Sequence, residues 1–271
     1  MGSCTDALRS IRDKSLAFPH PGGVPSSDQL TAALHDPAAS LARHVVARQV
    51  GQALSDAADL LFASGHLLGP DRADGASPFG HGNDREVGVA TVAQIGGELV
   101  RSAATLTDAS NLYSAMALVR QLVEVEYLLW AFGSRAAEAD GWLRSSHEER
   151  IQMWQPRHLR AKSDGKFGTE DYQNHCNRGG HPTPEARFLL PGHSVRLPAE
   201  AVWVELAQHG MSCWDHLVTA VAELESLESL GPVILERAST QELHRNRQVW
   251  EACDNFPSLA RSWALDRQQR R

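Results

Sequence analysis

Apolar residues recur along most of this chain with the 3.6-residue period of an amphipathic helix, and β-branched alternation is nearly absent. Between Asp36 and Gly65 the stripe is Leu41, Val45, Val46, Val50, Leu54, Ala57, Ala58 and Leu61, and Asp36-Pro37 supplies an N-cap with proline at the first helical position. The pattern predicts a helix from 37 to between Gly65 and Gly69, and a second over 85–106. In the second, the pair Gly96-Gly97 lets a neighbour approach closely or bends the axis. A third helix is predicted over about 109–132, short helices over 134–178, and a long helix from Pro198 to about Leu230, capped by Gly231-Pro232. One or two more helices precede a polar tail, and residues 69–84 have loop composition.

These elements imply an all-α fold: four long helices in an antiparallel bundle, with the region of short helices packed over one end. The Pro/Gly/Ser stretch from Phe18 to Ser27 makes residues 1–35 an N-terminal extension and linker. Residues 36–250 read as one helical domain, and 251–271 as a C-terminal helix and tail.

The third helix is apolar nearly all round, which marks a central buried element. It nonetheless carries Arg120 and Glu124, four residues apart and able to pair, on one stripe with Tyr113 and Tyr127. Glu126 projects about 120° away, by helix geometry, among Val119, Val123 and Trp130. The stripe faces solvent or a partner, or it faces an internal polar pocket built with residues 157–181.

Composition narrows the function classes. With 271 residues, 42% hydrophobic content and a net charge of −7, the chain can bury a core and is not a general nucleic-acid coat. Its basic residues are 23 arginines and 3 lysines, a bias that hints at a GC-rich bacterial genome. The cysteines Cys4, Cys176, Cys213 and Cys253 are widely spaced and read as free thiols in a reducing cytoplasm. The amino terminus has no signal-peptide core and no run of 18 apolar residues exists, so a cytoplasmic protein without a membrane span is expected. Arg150, Arg157, Arg160, Lys162 and Lys166 form a dense basic stretch. It would contact phosphate, or offset the acidic helix bearing Asp215, Glu223, Glu225 and Glu228. Trp142, Trp154 and Phe167 near it read as core anchors.

The segment Tyr172-Gln-Asn-His175-Cys176-Asn-Arg178-Gly-Gly-His181-Pro182 concentrates the candidate chemistry. On a helix, Tyr172, His175 and Cys176 share a face. Gly179-Gly180 would end that helix with positive φ angles, and Pro182 biases His181 toward extended backbone, from which its ring could fold back onto the bundle. Three readings follow. Zinc is disfavoured because adjacent His175 and Cys176 diverge by about 100° on a helix and no second close pair completes the ligands, so no metal or other cofactor is expected. A Cys176 nucleophile would need a lowered pKa and a histidine base. The third is a polar recognition or acid–base cluster in which Tyr172, His175, His181, Arg157 and Arg178 face Arg120 and Glu124. A structural hydrogen-bond network of the same groups is the bland counterpart.

The apolar run Leu118-Val-Arg120-Gln-Leu-Val-Glu124, followed by Tyr172-x-x-x-Cys176 and the His181-Pro182 turn, resembles a group of bacterial helical proteins related to the HEPN superfamily. That superfamily includes RNA-cleaving toxins and phage-defence components. The resemblance spans roughly residues 85–230. Beside it the candidate site read from the residues is His181, Arg120, Glu124, His175 and Tyr172, with binding arginines at Arg157, Arg160 and Arg178, and the resemblance implies RNA or a protein as partner and a homodimer as one assembly. In HEPN ribonucleases an arginine and a histidine with four to six residues between them serve the cut. Here Arg178 and His181 are closer than that, while the family spacing recurs at Arg187…His193 and at Arg237…His244, where the two could share a helix face.

Overall fold

The computed structural model describes residues 24–67, 82–192, 198–239 and 241–269. Among these residues there are twelve α-helices and no strand, so the fold is all-α. The long helices are α2 (Pro37–Leu67), α3 (Asp84–Asp108), α4 (Leu112–Gly133) and α9 (Ala199–Ala222). A short α1 (Ser27–Leu34) precedes them. Between α4 and α9 come α5 (Ala139–Arg144), α6 (His147–Met153), α7 (Pro156–Ala161), α8 (Thr169–His175), a π-helical turn (Cys176–Gly180) and a 3-10 turn (Pro184–Leu189). The chain closes with α10 (Leu230–Ala238), α11 (Gln241–Cys253) and α12 (Phe256–Gln269). No helix among the described residues is long and apolar enough to cross a membrane.

Local chemistry sets several boundaries. Asp36 Oδ1 accepts the amides of Ala38 and Ala39 at 3.0 and 2.8 Å, opening α2 at Pro37 as expected. Asn83 accepts the amides of Arg85 and Glu86 and opens α3. Ser110, with φ 61°, makes the tight corner between α3 and α4, so α4 begins at Leu112 rather than 109.

Small residues bring α2 and α3 together. A Cβ on Gly97 would lie 2.9 Å from the Ser55 amide nitrogen, and one on Gly51 would meet Val100. On the other side, Gly96 faces Val125 of α4. Contacts at 51–100, 55–97 and 65–86 run in opposite senses along the two helices, so α2 and α3 are antiparallel. Helix α9 lies beside α2 in the same sense, with Glu200 and Trp203 near His44, and Gly210 against Val50. The core between these four helices holds Val46, Leu54, Leu61, Val100, Met116, Val119, Leu122, Leu206 and Leu217.

The short helices take a longer path than a cover over one end. Trp142 and Trp154 pack on Phe132, Leu159 joins Tyr127, Tyr172 meets Glu124, and Gly179 lies on Met116. The chain thus runs back along α4, which returns it to the end of the bundle where α9 starts. The tryptophans and Phe167 act as packing anchors, as expected.

Two expectations are corrected in the last third. Helix α9 stops at Ala222, not near Leu230. The backbone extends at Leu224 (φ −88°, ψ 95°), which lets Leu224 and Leu227 turn into the core. Gly231-Pro232 does not cap α9 but lies in the first turn of α10, where a proline removes an amide that has no helical acceptor. Arg237 and His244 therefore fall on different helices, and His193 lies outside the described residues. Nor does the basic stretch offset the acidic one: Asp215 pairs with Arg247 at 2.5 Å and Glu223 with Arg135 at 2.5 Å.

The first and last described helices meet at a buried clasp. Arg43 of α2 is fully buried and donates from Nε and Nη2 to Asp254 at 2.7 and 2.6 Å. It also donates to the carbonyls of Leu34 and Ala33 that end α1. Residues of the expected linker thus include a helix, α1, held by this arginine, while residues 1–23 lie outside the described part.

Candidate functional site

Helix α4 presents Arg120 and Glu124 one turn apart, and α8 lays Tyr172 across them. Arg120 Nη2 donates to Glu124 Oε1 at 2.6 Å and to the Tyr172 hydroxyl at 2.9 Å, and that hydroxyl donates to Glu124 Oε1 at 2.7 Å. The pair is partly sheltered, with side-chain exposures of 25% and 31%. Burial, then the bond to Glu124, pushes the Tyr172 phenol well above its ordinary value of 10, so it remains a donor at any physiological pH. The Arg160 guanidinium covers the Tyr172 ring at 4.4 Å, and the Tyr127 ring, itself packed on Phe167 at 4.3 Å, lies 6.1 Å from it.

Glycine brings the following turn against α4. A Cβ on Gly179 would sit 2.5 Å from the Met116 carbonyl oxygen, and one on Gly180 2.5 Å from Arg120 Cδ. Neither residue has a positive φ: among the described residues, glycines with that conformation are Gly82, Gly165 and Gly192. The glycines are required by close approach, not by the helix-ending conformation expected of them. Cys176 in this turn has its thiol beside Arg120. His181 is extended, at φ −139° and ψ 152°, as the following proline requires. Its ring is exposed rather than folded back onto the bundle.

The expected cluster is thereby divided. Arg120, Glu124, Tyr172 and Arg160 come together, and exposed His181 stands next to the glycine that packs on Arg120. Arg178 is exposed on the π turn, and exposed Arg157 donates to its neighbour His158. His175 belongs elsewhere. Helix α8 lies between α4 and α9, so the small angle separating Tyr172 from His175 sends the imidazole to α9 instead.

There His175, 3% exposed, meets Glu205 and His209, with ring centroids of the two histidines 5.0 Å apart. His175 Nε2 is 3.8 Å from Glu205 Oε2 and 3.8 Å from Asp171 Oδ1, and its Nδ1 is buried with no hydrogen-bond partner. His209 Nδ1 is 2.7 Å from Glu126 Oε2, and its Nε2 is 3.4 Å from Glu205 Oε2. Glu126 was visible as a charge in an apolar helix. Glu205 and His209 were passed over, although a carboxylate and an imidazole four residues apart in the run Val-Glu205-Leu-Ala-Gln-His209-Gly are themselves a signal.

Charge is strongly coupled in this group. Burial lowers His209, but hydrogen bonds to Glu126 and Glu205 raise it to about 10. Burial would raise Glu205, yet His209, His175 and Arg178 hold it at about 2. His175 is lowered, chiefly by burial, so its ring is neutral. In chelator-treated protein the His209 contribution to stability is therefore complete below the unfolded-state value of about 6.5 and lost as pH rises through about 10. The Glu205 contribution is complete above about 4.3 and lost as pH falls through about 2. Denaturant midpoints measured across pH 6–10 should decline, and His209→Gln should flatten that decline. An identical slope in the variant would refute the assignment.

No protein-family model, no curated protein and no solved structure matches this chain. The functional reading accordingly comes from the site.

Proposed function

We propose that the protein is a HEPN-like helical module that binds RNA on the face where α4 meets α8 and the π turn. The observation that carries this reading is the corner at Gly180: the glycine lies on the Arg120 side chain, and exposed His181 follows directly. Arg160 over Tyr172 and exposed Arg178 add positive charge there, in a chain whose net charge is −7. Guanidinium groups suit phosphate, Tyr172 offers a ring edge and a hydroxyl, and a histidine beside an arginine can serve phosphodiester chemistry as acid–base and charge stabiliser.

A second reading is favoured by the closed hydrogen bonding of Arg120, Glu124 and Tyr172, each of which bonds both others. In that reading the triad is a structural lock within a non-catalytic scaffold or interaction module.

Anisotropy titrations with labelled single-stranded RNA separate the two. Under the RNA reading, wild type binds with a log–log salt slope near −2, from about −0.7 per phosphate and three arginines. Arg178→Ala, measured where the variant is folded, should make the slope shallower by about 0.7. His181→Ala should leave binding intact and abolish any cleavage. Absence of RNA binding by wild type at low salt removes this reading. The lock reading then expects Arg120→Ala to cost about 1–3 kcal/mol of stability as its main effect.

A further inference from the structure

We propose that His175, Glu205 and His209 form a zinc-class divalent-cation site, with Glu126 holding His209 from behind and a fourth position left to solvent beside Asp171. This inference rests on a different set of side chains from the RNA reading and is tested separately, although both sites share the docking of the 169–180 segment.

The three residues each offer one ligand atom, all within 4.8 Å of one another. Two ligands bound at about 2.1 Å to a tetrahedral ion lie about 3.4 Å apart. The observed separations are 3.4 Å for His209 Nε2 to Glu205 Oε2 and 3.8 Å for His175 Nε2 to Glu205 Oε2. Two of the three separations are therefore already close to the edge of a coordination tetrahedron, and the third is no more than 4.8 Å. Two come from one helix at a spacing of four, which presents both on the same side, and the third comes from the neighbouring α8.

The second sphere is also built. His209 has its Nδ1 on Glu126 Oε2 at 2.7 Å, which leaves Nε2 directed toward Glu205. A carboxylate behind a histidine is the usual way a metal-bound imidazole is oriented and made more basic. Glu126 lies on the buried side of α4 and is 8% exposed, so it cannot readily swing away.

A plain ion pair explains part of this arrangement and leaves part unexplained. An imidazolium at His209 between Glu126 and Glu205 would be a satisfactory buried bridge. His175 gains nothing from it. Its ring is nearly fully buried, yet Nδ1 has no hydrogen-bond partner and Nε2 stands 3.8 Å from two carboxylates, beyond hydrogen-bond reach. A cation held by Nε2 would give this buried imidazole a partner on the side where both carboxylates stand too far off to hydrogen-bond it; Nδ1, on the other side of the ring, is unpartnered in either case. A dication with neutral imidazoles would also balance the two carboxylates that face each other across His209.

The donor set selects the class of ion. Magnesium and calcium take oxygen ligands, whereas two imidazoles and one carboxylate suit zinc and its neighbours. Three protein ligands leave one position for water or an oxygen of a bound molecule.

The test uses the full chain, stripped with a chelator and titrated with Zn2+ by calorimetry and with Co2+ by visible absorbance. One ion per chain is expected, with the intense absorption of tetrahedral cobalt. His175→Ala, Glu205→Gln and His209→Ala should each weaken binding by more than the roughly 10–100-fold expected for Glu126→Gln. His181→Ala, on the exposed corner, should bind as wild type does. Where a variant fails to fold, X-ray absorption of the zinc-loaded wild type decides: two imidazoles among nitrogen and oxygen neighbours at about 2.0–2.2 Å are expected. No stoichiometric binding, a sulfur neighbour at about 2.3 Å, or binding unchanged in the folded ligand variants would overturn the site.

Discussion

Arg43→Ala should destabilise the protein by about 3–5 kcal/mol, the cost of leaving a buried carboxylate without its partner. Arg43 is fully buried and Asp254 is 1% exposed at its side chain, so water cannot replace the lost bonds. The deletion also strands the carbonyls of Leu34 and Ala33. Asp254 additionally accepts the Trp250 indole N–H at 2.8 Å and the Phe256 amide at 3.1 Å, so α11 and α12 would loosen with α1. Urea melts should show the loss in full, with a fall in thermal midpoint on the order of 10 °C. The double variant Arg43→Met, Asp254→Leu should lose less than the sum of the single changes, because the Asp254 carboxylate is removed together with its partner. A single Arg43→Ala variant as stable as wild type would show that the clasp does not hold these helices.

Gly179→Ala is the second large effect, at about 1–3 kcal/mol or more. The new methyl would meet the Met116 carbonyl oxygen at 2.5 Å and the Ala117 nitrogen at 2.6 Å. Both are backbone atoms inside α4, so neither can step aside, and the π turn must move instead. That movement would pull Tyr172 from Arg120 and His175 from Glu205, so RNA binding and metal binding should weaken together. Gly168→Ala is the matching control, since a Cβ there meets only Asp171 Cβ at an ordinary 3.8 Å. Chemical denaturation of the two variants side by side checks the prediction. Equal midpoints would mean that Gly179 is not an approach site.

Helical periodicity carried most of the architecture. It located α2, α3 and α4, marked α4 as buried, and exposed Arg120 and Glu124 as charges in an apolar run. The glycine pair in α3 announced the close packing on Ser55. The failures share one cause, which is that distant contacts overrode local pattern. The apolar stripe of α9 continues through Leu224, Leu227 and Leu230, yet the first two are used after the chain has turned. Gly179 and Gly180 looked like helix terminators, but α4 decides their identity. On a helical wheel His175 groups with Tyr172, and only the position of α8 between two long helices separates them. Glu205 and His209 carried a local signal, whereas their partner His175 lies far upstream and no spacing rule connects it to them.

One contact positions both sites: the docking of the 169–180 segment onto α4 through Gly179, Gly180 and the Tyr172 hydroxyl. Hydrogen–deuterium exchange on the wild-type chain, followed by mass spectrometry of peptides covering 169–181, tests it most directly. Slow exchange across this segment is expected, well below that of the exposed turn around Gly165, with protection lost in Gly179→Ala while peptides from α3 stay protected. Exchange of residues 169–181 as fast as that turn in wild type would contradict the docked arrangement on which both sites depend.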